Sequence, residues 1–204
     1  MLVSDLHSSA RALDRISNLA REVEPDAILI AGDLTTFGPP GYVDEVAKLA
    51  ECRILAVTGN CDVPEVAVKM DAAAINVSDS IVRLGGLDVA GVAWAGGKRV
   101  FEAMNQGLAA RLAERDESRP LIVLSHCPAL GTLDEIKPGQ HIGSLAISEL
   151  VASARPTALF SGHAHEARGL LRSDGTVYAN PGPAMEGHAA LATYENGRMD
   201  AALL

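Results

Sequence analysis

Five short apolar runs in this chain each end on side chains bearing oxygen or imidazole donors, and that repetition narrows what the chain can fold into. Leu2–Ser4 leads into Asp5-Leu6-His7, Ala27–Ala31 into Gly32-Asp33, and Ile54–Val57 into Gly59-Asn60-Cys61-Asp62. Leu121–Ser125 leads into His126-Cys127-Pro128, and Ala158–Ser161 into Gly162-His163-Ala164-His165. Near-continuous apolar runs of this length suit strands covered on both faces. Loops at the carboxyl ends of neighbouring strands converge, which is where α/β proteins build their sites.

The spacing within each block has a physical reading. In an extended segment alternate side chains share a face, so Asp5 and His7 can approach one site together, as can His163 and His165. Gly32, Gly59 and Gly162 permit close backbone approach beside the donors. Carboxylate and amide oxygens mixed with imidazole suit Mn²⁺, Fe, Zn²⁺ or Ni²⁺ better than Ca²⁺, which prefers oxygen alone.

Between the runs lie helical patterns. Leu13, Ile16, Leu19, Ala20 and Val23 recur at helical spacing, as do Phe101, Met104, Leu108 and Leu112, and a third pattern runs from about Ser144 to Ala154. Ser80–Trp94 alternates around Gly85-Gly86 and reads as a hairpin. From Gly169 onward, Leu170-Leu171, Thr176–Ala179, Ala190–Tyr194 and Met199–Leu203 read as strands joined by Asp174-Gly175 and Asn196-Gly197 turns. Strand–helix alternation followed by a β-rich tail predicts an α/β (α+β) fold, two sheets packed face to face with helices outside. With no linker or repeat in 204 residues, one domain over 1–204 is expected.

Composition excludes several classes of partner. A net charge of −9 with no run of Lys or Arg argues against nucleic-acid polymers and anionic membranes. Aromatics at 3% leave few rings for stacking a row of exposed bases. No apolar stretch is long enough to span a bilayer, and the N-terminus lacks a signal-peptide pattern. Three cysteines, Cys52, Cys61 and Cys127, with no C-x-x-C pair, suggest reduced thiols in a cytoplasmic compartment. Only four residues precede Asp5, so either the first strand is short or the native chain starts further upstream. Oligomeric state is not legible.

The five blocks together resemble the calcineurin-like metallophosphoesterase superfamily, whose pattern is D-x-H, G-D, G-N-H-[DE], a later H, and G-H-x-H, each after a strand. Within it the chain looks most like small bacterial and archaeal phosphodiesterases that carry G-N-C-D, as Gly59–Asp62 does here. The resemblance implies a four-layer αββα sandwich of two mixed sheets. It implies two divalent transition-metal ions, with Mn²⁺ the leading expectation. Asp5, His7 and His165 would bind the first, Asn60, His126 and His163 the second, and Asp33 would bridge them. It further implies hydrolysis of a small phosphodiester or phosphate ester through a metal-bridging hydroxide, with Asn60, Cys61, Asp62 and His126 as catalytic candidates.

Cys61 departs from the pattern, because many relatives carry histidine there as a proton donor to the leaving oxygen. A thiol is a weaker donor near neutrality, so phosphodiesters or good leaving groups are expected over alkyl monoesters. Asp62, His141 and His188 are alternative acids that the sequence does not place, and His188 by default is a surface residue. Cys52 and Cys127 are expected to be structural, Trp94 a core residue, and Asn180-Pro181-Gly182-Pro183 a rigid turn near the cleft. Some proteins resembling this subfamily serve as scaffolds, so the fold alone does not establish turnover. The complete donor set favours an enzyme.

Overall fold

The computed structural model describes residues 1–94 and 96–204. In chain order, β1 (Leu2–Val3), α1 (Ala10–Val23), β2 (Ala27–Ala31), α2 (Tyr42–Val46), β3 (Arg53–Val57) and α3 (Pro64–Ala72) come first. They are followed by β4 (Ser80–Leu84), β5 (Leu87–Val92), α4 (Lys98–Met104), α5 (Gln106–Glu114) and β6 (Leu121–Ser125). A small hairpin, β7 (Glu135–Lys137) with β8 (Gln140–His141), precedes α6 (Leu145–Ala154) and β9 (Ala158–Phe160). The chain closes with β10 (Gly169–Ser173), β11 (Thr176–Asn180), β12 (Ala190–Glu195) and β13 (Arg198–Leu203).

The strands form two mixed sheets, ordered β13-β12-β1-β2-β3 and β10-β11-β9-β6-β5-β4. Within the first sheet β1, β2 and β3 are parallel neighbours, and in the second so are β5, β6, β9 and β11. All five donor-bearing loops therefore leave these parallel strands at their carboxyl ends.

Strand periodicity decides what each face buries. On β2, Leu29 and Ala31 enter the layer between the sheets, while Ile28 and Ile30 face the helical side with Ile16 and Leu19 of α1. On β6, Ile122 and Leu124 point between the sheets, while Leu121 and Val123 meet Leu108 of α5 and Ile147 of α6. Phe160 is the largest fully buried side chain in the middle layer, where Ala, Val, Leu, Ile and Met199 do the remaining filling and Tyr194 packs at the margin. Three apolar layers between four layers of elements make the expected αββα sandwich.

Some elements differ from the sequence reading. β1 is only two residues long, with Ser4 contributing an isolated bridge to Pro183. It is nevertheless held between β12 and β2, so its neighbours' hydrogen bonds fix it despite its length. The pattern from Phe101 to Leu112 is two helices, broken at Asn105. The Asn105 side chain accepts from Ala93 N–H (2.8 Å) and donates to Ala93 C=O (3.2 Å), tying the break to the segment after β5. Met104, one of the four apolar residues at helical spacing, is exposed. Helices α2 and α3 and the β7–β8 hairpin lie outside the elements read from the sequence, although Pro64 at the start of α3 is an N-terminal helix signal.

Candidate metal centre

The donor-bearing loops are stitched to one another by backbone hydrogen bonds. Asp5 N–H donates to Gly32 C=O, His7 N–H to Asp33 C=O, Phe37 N–H to Cys61 C=O, and Gly162 N–H to His126 C=O. Side chains add to this. Cys61 N–H donates to Asp33 Oδ1 (2.8 Å) and His163 N–H to Asp5 Oδ2 (3.2 Å). Asp5, His7, Asp33 and His163 all have φ between 50° and 68°, a left-handed conformation that costs a non-glycine residue about 1–3 kcal/mol and is concentrated at functional sites. Gly32 is required beside them, because a Cβ there would sit 2.6 Å from the Nδ1 of His126.

These connections bring the seven predicted donors to one place. Nε2 of His165 lies 3.2 Å from Asp5 Oδ1, and Nε2 of His7 lies 3.9 Å from the same oxygen. Asp33 faces two ways, with Oδ2 3.6 Å from His7 Nε2 and Oδ1 3.6 Å from His126 Nε2. Asn60 Oδ1 is 2.9 Å from His126 Nε2, and the rings of His126 and His163 are 4.9 Å apart. Asp5–His7–His165, His7–Asp33–Cys61 and Asp5–Asp33–His126 each converge closely enough to hold an ion.

Two features of this geometry fit a cation. Nδ1 of His126 is 2.8 Å from the carbonyl of Ala31, which can only accept, so that nitrogen carries a proton. Nε2 of the same ring faces the oxygens of Asn60 and Asp33, so imidazole nitrogen, amide oxygen and carboxylate oxygen converge as a ligand set would. In addition, Asp5 is 1% exposed, and its Oδ1 is buried with no aligned hydrogen-bond donor. Burial works against the charge of the Asp5 carboxyl, but His165 and His126 beside it bring it down to about 2. Burial and the adjacent His126 lower His163 to about 4, which leaves its imidazole neutral and able to ligate near pH 7. The Asp5 carboxylate raises His165.

The remaining candidates fall in varied places. Asp62 is not poised toward an open cleft. Its carboxylate accepts from the backbone N–H groups of Gly59 (2.9 Å), Leu34 (3.1 Å) and Thr35 (2.8 Å), and from the Thr35 hydroxyl (3.0 Å). It thereby ties the Asp33 loop to the Asn60 loop. Cys61 lies within the cluster and accepts from the Asn60 side-chain amide (3.1 Å); burial and the Asp33 carboxylate push its thiol up to about 12. His141 pairs with buried Asp134 at 2.8 Å, on the hairpin that packs against the turn carrying His165. His188 is half-buried with an unpartnered Nδ1, so it is not the free surface group expected by default. Cys52 packs against the core on the helical side, and burial pushes the Cys127 thiol up to about 12.

Asn180 supports the expected role of its turn. Its side chain donates to Ala164 C=O between the two histidines of the fifth block (2.7 Å) and accepts from Gly182 N–H (2.9 Å). Trp94 corrects the sequence reading. It is half-buried beside the site, with its ring 5.5 Å from that of His126 and 5.1 Å from that of His163. A single aromatic just past a strand has no periodic pattern that would have marked it.

Fold and donor set together define the class of metallophosphoesterases. The chain matches the Calcineurin-like phosphoesterase superfamily domain over residues 1–197 and belongs to that superfamily. It is 24% identical over 197 residues to the uncharacterized protein MJ1162 of Methanocaldococcus jannaschii, covering 89% of this chain and 86% of that one. Its fold is similar to that of TT1561 of Thermus thermophilus, with a TM-score of 0.73 at 16% identity over 98% of this chain and 96% of the other. It is also similar to a structurally and functionally characterized archaeal phosphodiesterase, with a TM-score of 0.58 at 14% identity over 100% and 98% of the two chains. Among the described residues no helix is long and apolar enough to cross a membrane.

Proposed function

We propose that residues 1–204 act as one domain, a binuclear metal-dependent phosphodiesterase of the cytoplasm that hydrolyses small phosphodiesters. The observation that carries this reading is the two-way orientation of Asp33, whose oxygens lie 3.6 Å from His7 on one side and 3.6 Å from His126 on the other. Asp5, His7 and His165 would hold one ion, and Asn60, His126 and His163 the second, with Asp33 shared. When bound, the ions supply a nucleophile from water at neutral pH and neutralise charge on the phosphoryl oxygens.

The chain's own groups orient the rest. Burial keeps His163 neutral, and the Ala31 carbonyl fixes the tautomer of His126. The Asn60 amide contributes its oxygen to the second set and its nitrogen to Cys61. Asp62 is a positioning residue in this reading, because its hydrogen bonds set where Asp33 and Asn60 stand. Cys61 is a neutral thiol among carboxylates and a poor proton donor to a departing alkoxide. Diesters with good leaving groups suit such a site. Three free cysteines and net charge −9 agree with a reducing compartment and with no polyanionic partner.

The test is hydrolysis of bis(p-nitrophenyl) phosphate by the purified protein, compared with an alkyl phosphate monoester, with Mn²⁺ added and then with excess chelator. Turnover of the diester is expected to require the metal, to vanish with chelator, and to exceed monoester turnover by at least about a hundredfold, the lower range of what a missing acid catalyst costs. A monoesterase advantage would refute the substrate preference. Bound metal with no turnover of either ester would instead indicate a scaffold that keeps the site without the reaction.

A further inference from the structure

We propose that Cys61 is itself a metal ligand, its sulfur joining His7 and Asp33 on the first ion, so that this position selects a thiophilic cation such as Zn²⁺ over Mn²⁺. The proposal rests on the metal-centre reading and deepens it. The sulfur of Cys61, a ring nitrogen of His7 and a carboxylate oxygen of Asp33 all lie within 4.8 Å of one another, close enough for one ion to reach all three. His7 also belongs to the group made with Asp5 and His165, which identifies the ion as the first. A second observation points to a cation at this place. Asp5 is 1% exposed, and its unpartnered Oδ1 lies 3.9 Å from His7 Nε2.

The chain holds this sulfur in place from several sides. Cys61 N–H donates to Asp33 Oδ1 (2.8 Å), and Cys61 C=O accepts from Phe37 N–H (2.8 Å). The Asn60 amide turns its oxygen toward His126 and donates its N–H to the Cys61 sulfur (3.1 Å). Such donation is the outer support that metal-bound ligands receive. The His7 ring is set as well. Its Nδ1 lies 3.1 Å from the Thr36 hydroxyl, which leaves Nε2 facing Asp33 Oδ2 at 3.6 Å. The other two cysteines have different surroundings. Cys52 packs against the core on the helical side, and the Cys127 thiol donates to Ile142 C=O (3.7 Å).

Without metal, the Asp33, Asp62 and Asp5 carboxylates keep the thiol protonated. A dication among those carboxylates reverses the local field, and a coordinating thiol is deprotonated outright. The S–H bond breaks, a sulfur–metal bond forms, and the proton leaves to water. Thiolate sulfur is a soft donor that favours Zn²⁺, whereas Mn²⁺ favours oxygen. At saturation Mn²⁺ still fills the position; the thiolate decides which ion wins in competition. A sulfur committed to metal has no proton to give a departing alkoxide, in keeping with a site suited to good leaving groups.

Co²⁺ titrated into the metal-free protein tests the assignment, because a cobalt–thiolate bond absorbs in the near ultraviolet through sulfur-to-metal charge transfer. The native protein, Cys52→Ser and Cys127→Ser are expected to develop this band saturably, and Cys61→Ser to lose it. Equilibrium dialysis against Zn²⁺ and Mn²⁺ together should show the preference for Zn²⁺ falling by about tenfold or more in Cys61→Ser. A further readout needs no substitution. Zn²⁺ should suppress alkylation of native Cys61 by iodoacetamide, followed by peptide mass, and unsuppressed alkylation would count against the ligand. Co²⁺ bound by dialysis without the band, a band retained in Cys61→Ser, or an unchanged ion preference in that variant would overturn the Cys61 assignment and leave the metal centre standing. No binding of Co²⁺ at all would overturn both. A full band in a protein that hydrolyses no phosphate ester would sink the phosphodiesterase reading and leave Cys61 as a ligand.

Discussion

Asp33→Ala is expected to lower kcat/KM for bis(p-nitrophenyl) phosphate by at least about a thousandfold, the upper range for removing one preorganised electrostatic group from a site. The size of the effect follows from position. Asp33 is 2% exposed and turns one oxygen toward His7 and the other toward His126, each at 3.6 Å, so its loss disturbs both sets of donors at once. It also accepts the amide of Cys61, and alanine would leave that donor unsatisfied at a cost of about 1–3 kcal/mol. Asp33→Asn separates the two consequences. The asparagine oxygen can keep the Cys61 hydrogen bond, so the thermal midpoint with chelator present should stay near that of the native protein. The negative charge is gone, however, and activity should remain as low as in Asp33→Ala. Native-like turnover in Asp33→Asn would mean that this carboxylate does not hold metal.

Gly59→Ala carries the largest expected cost to folding. A Cβ at this position would collide with both the carboxylate and the backbone nitrogen of Asp33, and the obstacle is main chain that cannot rotate away. Gly59 N–H also donates to Asp62, so a shift to relieve the clash would loosen the loop tie as well (2.9 Å). Overpacking of this kind costs about 3 kcal/mol or more. In a chain of this length that lowers the melting temperature by roughly 6–12 °C. Differential scanning fluorimetry with chelator present isolates the effect from metal loss. A native-like midpoint there would show that the two loops are not packed as closely as described.

Much of this architecture was legible because it rests on local periodicity. The alternation that sends Leu29 and Ala31 one way and Ile28 and Ile30 the other is written in consecutive residues. The same holds for the donor blocks, whose position at strand ends needs only the strand assignment. What sequence could not supply depends on contacts between distant segments. Asp62 was a candidate acid within its motif, yet its hydrogen bonds to Leu34 and Thr35 span nearly thirty residues and make it a brace. The apolar pattern from Phe101 to Leu112 gave no warning of the break at Asn105, which exists because that side chain serves Ala93. Trp94 has no motif at all, and its relation to the site arises from where the segment after β5 meets the rings of His126 and His163.

The account depends most on the claim that two ions share Asp33. Equilibrium dialysis of the metal-free protein against Mn²⁺, with the bound ion counted per chain, addresses it directly. Saturation at two ions per chain, falling to one or none in Asp33→Asn, is the predicted result. Saturation at one ion in the native protein, or two ions retained in Asp33→Asn, would contradict it.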